Sequence, residues 1–164
     1  MRKLFILLAT GIVLLCSGGG AWWWLFSRSP QEQVLARQSA FLTAVEERDW
    51  EKVRSMLTDD YMDDYGHDRD SAVEDASLVL KSFFQLSLSP QLIKVQAVPD
   101  LGMVVMKIRM EGRGAGLSDS IEAQVNGLQE PWFFHWHKKG RWPWDWRIVQ
   151  IHNDGLQWLN PSGL

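Results

Sequence analysis

The sequence predicts an α+β domain, three helices followed by an antiparallel sheet, behind an N-terminal membrane-spanning segment. Three observations carry this reading. Residues 4–26 hold no charged side chain. Between residues 31 and 84 the apolar side chains recur near the helical period. After Pro90 the period falls to two, so alternate residues share a face. Helices first and strands second is the order of a fold that packs its helices on one face of a sheet. At 164 residues the chain has room for one domain. It divides into a membrane or signal segment over 1–28, the α+β domain over 29–156 and a tail over 157–164.

Arg2 and Lys3 precede the uncharged run, which ends in Trp22, Trp23 and Trp24 before Ser27 and Arg28. At about 1.5 Å per residue such a run reaches roughly 34 Å, enough to cross a bilayer core. Tryptophans suit the membrane–water interface, and basic residues before a span hold the N-terminus in the cytoplasm. The expectation is a single-pass anchor in an inner or plasma membrane, with the C-terminal domain extracytoplasmic. Three other readings stand beside it. A signal peptide with its apolar region at 4–15, cut at Ala21, would leave an exposed Ala-Trp-Trp-Trp-Leu-Phe tail. Lipid attachment at Cys16 would need a small residue where Leu15 stands. A buried helix of a cytoplasmic protein would carry Gly18, Gly19 and Gly20, which weaken helices.

Cys16 is the sole cysteine, so the domain has no disulfide, zinc–thiolate cluster or cysteine nucleophile. Beyond residue 26 there are 15 basic and 20 acidic residues, a net charge of −5. That balance argues against nucleic acid, whose binding needs a basic face.

Ser29-Pro30 opens the first helix, with Val34, Leu35, Phe41, Leu42 and Val45 on its apolar side. Asp49 is the expected N-cap of a short second helix, presenting Trp50, Val53, Met56 and Leu57 and ended by Thr58-Asp59-Asp60. Residues 61–66 read as a small strand or a turn. Asp70-Ser71 is the expected cap of a third helix bearing Val73, Ala76, Leu80, Phe83 and Phe84 and terminated by Ser89-Pro90. Leu92, Ile93, Val95 and Ala97 mark a strand, and Pro99-Asp100-Leu101-Gly102 a turn. The next strand, residues 103–110, sets Val104, Met106, Ile108 and Met110 on one face. Residues 112–116 are a glycine-rich break, and 121–125 are expected as strand. Residues 132–137 form an aromatic strand, 138–141 a turn, and 144–152 the last strand.

The order of these elements and a few local strings resemble the nuclear transport factor 2-like superfamily, the cystatin-like cone. Residues 41–50 (FLTAVEERDW) look like its first helix running into the second. Residues 57–66 (LTDDYMDDYG) look like the segment after that second helix. Residues 133–140 with Trp146-Arg147-Ile148-Val149 look like its last hairpin. The resemblance spans 31–154 and implies a cone-shaped, strongly curved antiparallel sheet wrapped around helices, with a pocket between them. It implies a homodimer joined through sheet faces. Its members include isomerases, dehydratases, polyketide cyclases and transport adaptors, so fold alone does not name an activity. One architectural likeness is the inner-membrane component of type IV secretion systems, one span followed by this fold.

Residues 46–75 hold 12 of the 20 acids. The weak catalytic candidates lie here: Asp63 or Asp64 as general base, with Tyr61 or His67 in support and Tyr65 and Asp70 nearby. A base needs its pKa raised by an apolar site, whereas a string this acidic is ordinarily solvated turns and helix ends. With Gly66 in the sixth position, Tyr61 and Ala72 would stand where an EF-hand needs acids. His135 and His137 share a strand face and could meet a metal with His152 or His67, but no third ligand can be placed and Lys138, Lys139 and Arg141 oppose a cation. No metal and no cofactor is expected. Trp132, Phe134 and Trp136 share one face, and Trp144, Trp146 and Ile148 another; one set is core. Tyr65, Phe134, Trp136, Trp144 and Trp146 are the candidates for a pocket or docking surface.

The reading is a membrane-anchored extracytoplasmic domain, held by residues 4–26, that binds a small apolar ligand or an envelope protein and shows no evident catalytic set. The alternative is a pocket enzyme of the isomerase, dehydratase or cyclase type that uses a carboxylate base.

Overall fold

The computed structural model describes residues 28–159, so the expected anchor over 4–26 lies outside the described residues. Within them no helix is long and apolar enough to cross a membrane. Helices α1 (Pro30–Glu47), α2 (Trp50–Met56) and α3 (Arg69–Leu80) are followed by β1 (Phe83–Ala97), β2 (Leu101–Gly114), α4 (Ser118–Gly127), β3 (Trp132–Lys138) and β4 (Trp146–His152). A 3-10 turn spans Asp154–Leu159. The strands form one antiparallel meander in the order β1-β2-β3-β4. The architecture is α+β, with a curled sheet over the helices.

Local chemistry accounts for the first two helices. Ser29 and Glu32 make a reciprocal capping box, and Pro30 occupies the first turn. Arg48 closes α1 in the left-handed region, at φ 58°. Asp49 then accepts the Lys52 amide at 3.1 Å and caps α2, as its position in the sequence suggests. The segment after α2 runs along β4. Thr58 donates its amide to Ile148 at 2.9 Å and Met62 to Val149 at 3.3 Å.

The third helix differs from the expectation at both ends. Its cap is Asp68, whose Oδ1 accepts from the Asp70 and Ser71 amides and the Ser71 hydroxyl. It stops at Leu80, and residues 83–89 open β1 instead of extending the helix. The alternation of buried Phe83 with exposed Phe84 is the strand period. Pro90 therefore lies inside a strand. It is tolerated because β1 is an edge and because of its register. Pro90 faces Ile108, two residues from Met110. Met110 turns its backbone N–H and C=O away from β1, toward Asn126. Ile108 has the same parity, so no ladder bond is asked of the proline nitrogen.

Residues 121–125, expected as strand, are helical. The reason is visible in their spacing: Ile121 and Val125 are one turn apart and pack on Leu80, Phe83 and Met110. Helix α4 also takes the place of a neighbouring strand along the far half of β2. The Asn126 amide gives and receives one bond with the Met110 backbone, both at 2.8 Å, and Glu122 accepts the Gly112 amide at 3.1 Å. Gly112 and Gly114 belong to β2, and the break falls at Gly116, whose φ of +66° suits glycine. Leu101 and Gly102 are strand rather than turn, and Trp144 precedes β4 in the hairpin loop instead of sharing its face.

The main core joins Val34, Phe41, Val104, Phe134, Trp136, Trp146 and Ile148, all buried. Phe41 meets Phe134 edge-on at 6.1 Å. Helix α1 comes close enough to β2 that a Cβ on Gly102 would lie 2.8 Å from a Val34 methyl. Two glutamines complete the layer contact. Gln38, 1% exposed, accepts the Trp136 indole N–H at 3.1 Å. Gln33 accepts the Trp146 indole at 3.2 Å and the Lys138 ammonium at 3.1 Å.

Gln38→Leu leaves the buried Trp136 N–H unpaired while keeping side-chain bulk, so urea unfolding is expected to show a loss of about 1–3 kcal/mol. A change below the error of the measurement would show that the bond contributes nothing. Asn126→Ala frees the Met110 backbone, and its amide is expected to exchange hydrogen faster than those of Val104 and Met106, which β3 protects.

Candidate functional site

Between the helices and the open end of the sheet lies a cavity of ≈ 240 Å³. Phe41, Val45, Trp50, Val53, Val73 and Ile151 make its apolar wall, with Ala72, Ala76 and Trp132 beside them. Its polar groups gather on one rim: Tyr61, Asp63, Tyr65, His67 and Asp75. An apolar chamber with a few convergent polar groups is the usual form of a small-molecule site.

The rim is built by the turn between α2 and α3. Asp63 organises it, accepting the amides of Tyr65 at 2.9 Å and His67 at 2.8 Å on Oδ1. Its Oδ2 lies 3.0 Å from His67 Nδ1, and its side chain is only 9% exposed. The other ring nitrogen, Nε2, lies 3.1 Å from Asp75 Oδ2 on α3. The imidazole is thus held between two carboxylates, one fixed in the turn and one on an exposed helix face. Tyr65 donates to the Asn153 carbonyl at 2.8 Å and ties the turn to the end of β4.

Burial holds the Tyr61 phenol well above its ordinary pKa, and the charge of Asp63 adds to the shift. Tyr65 is raised for the same first reason, against the hydrogen bond at Asn153. Both phenols therefore stay protonated through the neutral range and can donate but not act as bases. The Asp63 oxygens are taken by two amides and an imidazole. His67 Nε2 meets Asp75, the more exposed of the ring's two carboxylate partners.

The other sequence candidates fall elsewhere. Asp64 is exposed and accepts from Gln150 at 2.6 Å. Asp70 pairs with Arg54 at 2.6 Å across α2 and α3. Phe134, Trp136 and Trp146 fill the interior, and of the five aromatic candidates Tyr65 alone borders this cavity. Trp144 stands 45% exposed on the β3–β4 loop. His135 stacks on His152 at 5.5 Å, and His152 on Phe133 at 4.6 Å, away from the Asp63–His67 contact. Burial lowers the His135 pKa, and His152 reinforces that. Among the described residues no three His, Cys, Asp or Glu side chains converge as a metal site. Asp75 and the walls Trp50, Val53 and Trp132 were not legible as site residues. The usable signal for the pair was the Asp63–His67 spacing within one turn.

No protein-family model matches the chain, and no curated protein does. Solved structures match by fold. A structure described as a candidate scytalone dehydratase from Novosphingobium aromaticivorans is 12% identical with a TM-score of 0.58, over 74% of this chain and 80% of that one. A candidate dehydratase of the nuclear transport factor 2-like family from Streptomyces avermitilis is 16% identical with a TM-score of 0.57, over 76% and 97%. The fold is that of the nuclear transport factor 2-like proteins. A third such match, Bd1075 of Bdellovibrio bacteriovorus, is 14% identical with a TM-score of 0.55. It covers 74% of this chain, which in turn spans only 39% of that protein. Within this nuclear transport factor 2-like frame the cavity lies between helices and sheet, where the resemblance placed a pocket.

Asp63→Ala removes three acceptor contacts and is expected to cost about 1–3 kcal/mol in thermal or urea unfolding. Asp64→Ala, on an exposed side chain, should stay within about 0.5 kcal/mol of the parent. Equal effects would remove Asp63 from its organising place.

Proposed function

We propose that this chain is a membrane-tethered extracytoplasmic domain that binds a small, largely apolar molecule in the cavity beneath α2 and α3. The observation that supports this most directly is the cavity's make-up: apolar and aromatic walls with every polar group on one rim. Its volume of ≈ 240 Å³ suits a compact ligand of one to three rings. Apolar contact would supply the affinity, and the Tyr65, His67 and Asp75 rim would orient one oxygen-bearing end. The tether rests on the uncharged run at 4–26 and the basic residues before it.

A second reading has one specific observation in its favour, the Asp63–His67 pair at the cavity rim. Asp63 orients the ring by accepting from Nδ1. Once a ligand displaces Asp75 and the Nε2 proton has left to solvent, the neutral ring's Nε2 can take a proton from a carbon or hydroxyl and return it elsewhere on the same molecule. That is the work of an isomerase or a dehydratase. Here His67 is the candidate catalytic residue, and Asp63 is a positioning residue. The fold's neighbours include proteins described as dehydratases, which agrees with a pocket of this kind.

Both readings meet one experiment. The environment-sensitive dye 1-anilinonaphthalene-8-sulfonate is titrated into the full chain in detergent-free nanodiscs, with empty nanodiscs subtracted. Ala76→Phe should abolish saturable dye fluorescence by filling the cavity, while His67→Gln should leave it intact. Unchanged dye binding in Ala76→Phe would overturn the pocket. Compounds that displace the dye can then be followed for conversion by mass spectrometry, and conversion lost in His67→Gln selects the enzyme reading over simple binding.

A further inference from the structure

The β3–β4 hairpin ends in a loop that is unusual for its place. Instead of small polar residues it carries Lys139, Arg141, Trp142 and Trp144 around Gly140 and Pro143. Large apolar rings at a hairpin tip lose favourable burial unless something covers them. Trp144 is 45% exposed and lies flat on Trp142, 5.4 Å centre to centre and 5° from parallel. The Arg141 guanidinium sits 5.3 Å over the Trp142 ring.

The loop is held in shape from within. Asp145 Oδ2 accepts the Trp142 amide at 3.0 Å, the Asp145 amide bonds the Trp142 carbonyl at 3.1 Å, and Lys139 bonds the Asp145 carbonyl at 2.9 Å. Trp144 is therefore displayed on a fixed scaffold, with Trp142 half-buried behind it. Lys138, Lys139, Arg141, Arg147 and Arg37 are cations of this end. Facing them are Asp145, engaged in the loop, Asp100, whose carbonyl accepts the Lys138 amide at 2.9 Å, and Asp60, which meets Lys139 at 3.5 Å through an exposed and therefore weak pair.

Its position decides what it could meet. Gln33 accepts from the Lys138 ammonium with its oxygen, and its amide nitrogen donates to the Arg28 carbonyl at 2.8 Å. One side chain thus links the hairpin to the first described residue. Immediately before that residue lie Trp22, Trp23 and Trp24 and the uncharged run. If the run spans a bilayer, the loop is held beside the place where the chain leaves it.

We propose that the β3–β4 loop is a membrane-surface contact. Trp144, backed by Trp142, would enter the headgroup layer, with Lys139 and Arg141 facing anionic lipid phosphates. Indoles favour that layer, and each basic residue near an anionic surface adds attraction. This rests on the tethered reading above. It sets the domain's orientation, so that the hairpin end lies on the membrane.

The test uses the full chain, Cys16→Ser, in phosphatidylcholine vesicles with and without phosphatidylglycerol. A nitroxide is placed at Trp144→Cys or, for comparison, at Gln85→Cys on β1. The label at 144 should be severalfold less accessible to a water-soluble nickel complex, and more accessible to oxygen, than the label at 85. Adding Lys139→Glu and Arg141→Glu should raise nickel access at 144 mainly in the phosphatidylglycerol vesicles. A chain that sediments with vesicles but shows equal nickel access at 144 and 85 overturns the contact and leaves the tether standing. A chain that does not sediment with vesicles overturns both.

Discussion

The seating of α1 on the sheet is the constraint on which the rest of this structure depends. Two indole N–H groups, from Trp136 and Trp146, point into the layer between helix and sheet, where water cannot reach them. Tryptophan can only donate there, so each needs an acceptor from the facing element. Gln38 and Gln33 supply them. They stand five residues apart on α1, so both bonds form together at one rotation and one translation of the helix. A wholly apolar interface of the same area would hold α1 as strongly but with less preference for register. The site inherits that register, because Phe41 and Val45, on the same helix, form part of the cavity wall.

The parts of this fold legible in the sequence were those with strong local signals. Ser29-Pro30 with Glu32, and Asp49 before Trp50, are capping chemistry that acts over three residues and does not depend on the tertiary fold. The aromatic strand at 132–138 needed only its alternation. What failed depended on partners distant in sequence. Pro90 reads as a stop until β1 is known to be an edge whose nearest ladder position needs no proline N–H. Ile121 and Val125 satisfy both a strand and a helical reading, and the choice is made by Asn126 and Glu122, which occupy backbone groups of β2 that no strand covers. A lone side-chain amide acting as a strand's edge has no periodicity to detect.

The candidate site divides in the same way. The acidic segment was visible, and so was the nearness of His67, but the roles were not. Sequence reasoning favoured a carboxylate as the base because the fold's enzymes often use one. In the structure each of these carboxylates has its own contacts. Asp63 is consumed by the turn it builds, Asp64 lies in solvent beside Gln150, and Asp70 binds Arg54. Three nearby acids thus do three unrelated jobs, separated by the direction in which the backbone turns each side chain.

That division narrows the chemistry open to this protein. The Asp63 carboxylate, held by two backbone amides and an imidazole, has its oxygens engaged in shaping the turn. Such a group orients the imidazole, and a ligand reaching it would first have to displace those contacts. Under the enzyme reading proposed above, the ring nitrogen left for a ligand is His67 Nε2, which here meets Asp75 at 3.1 Å. Asp75 is on an exposed helix face with its side chain 57% exposed, so its withdrawal into water breaks one contact and uncovers no core. The turn that aims the ring is fixed by Asp63 and by Tyr65 on Asn153.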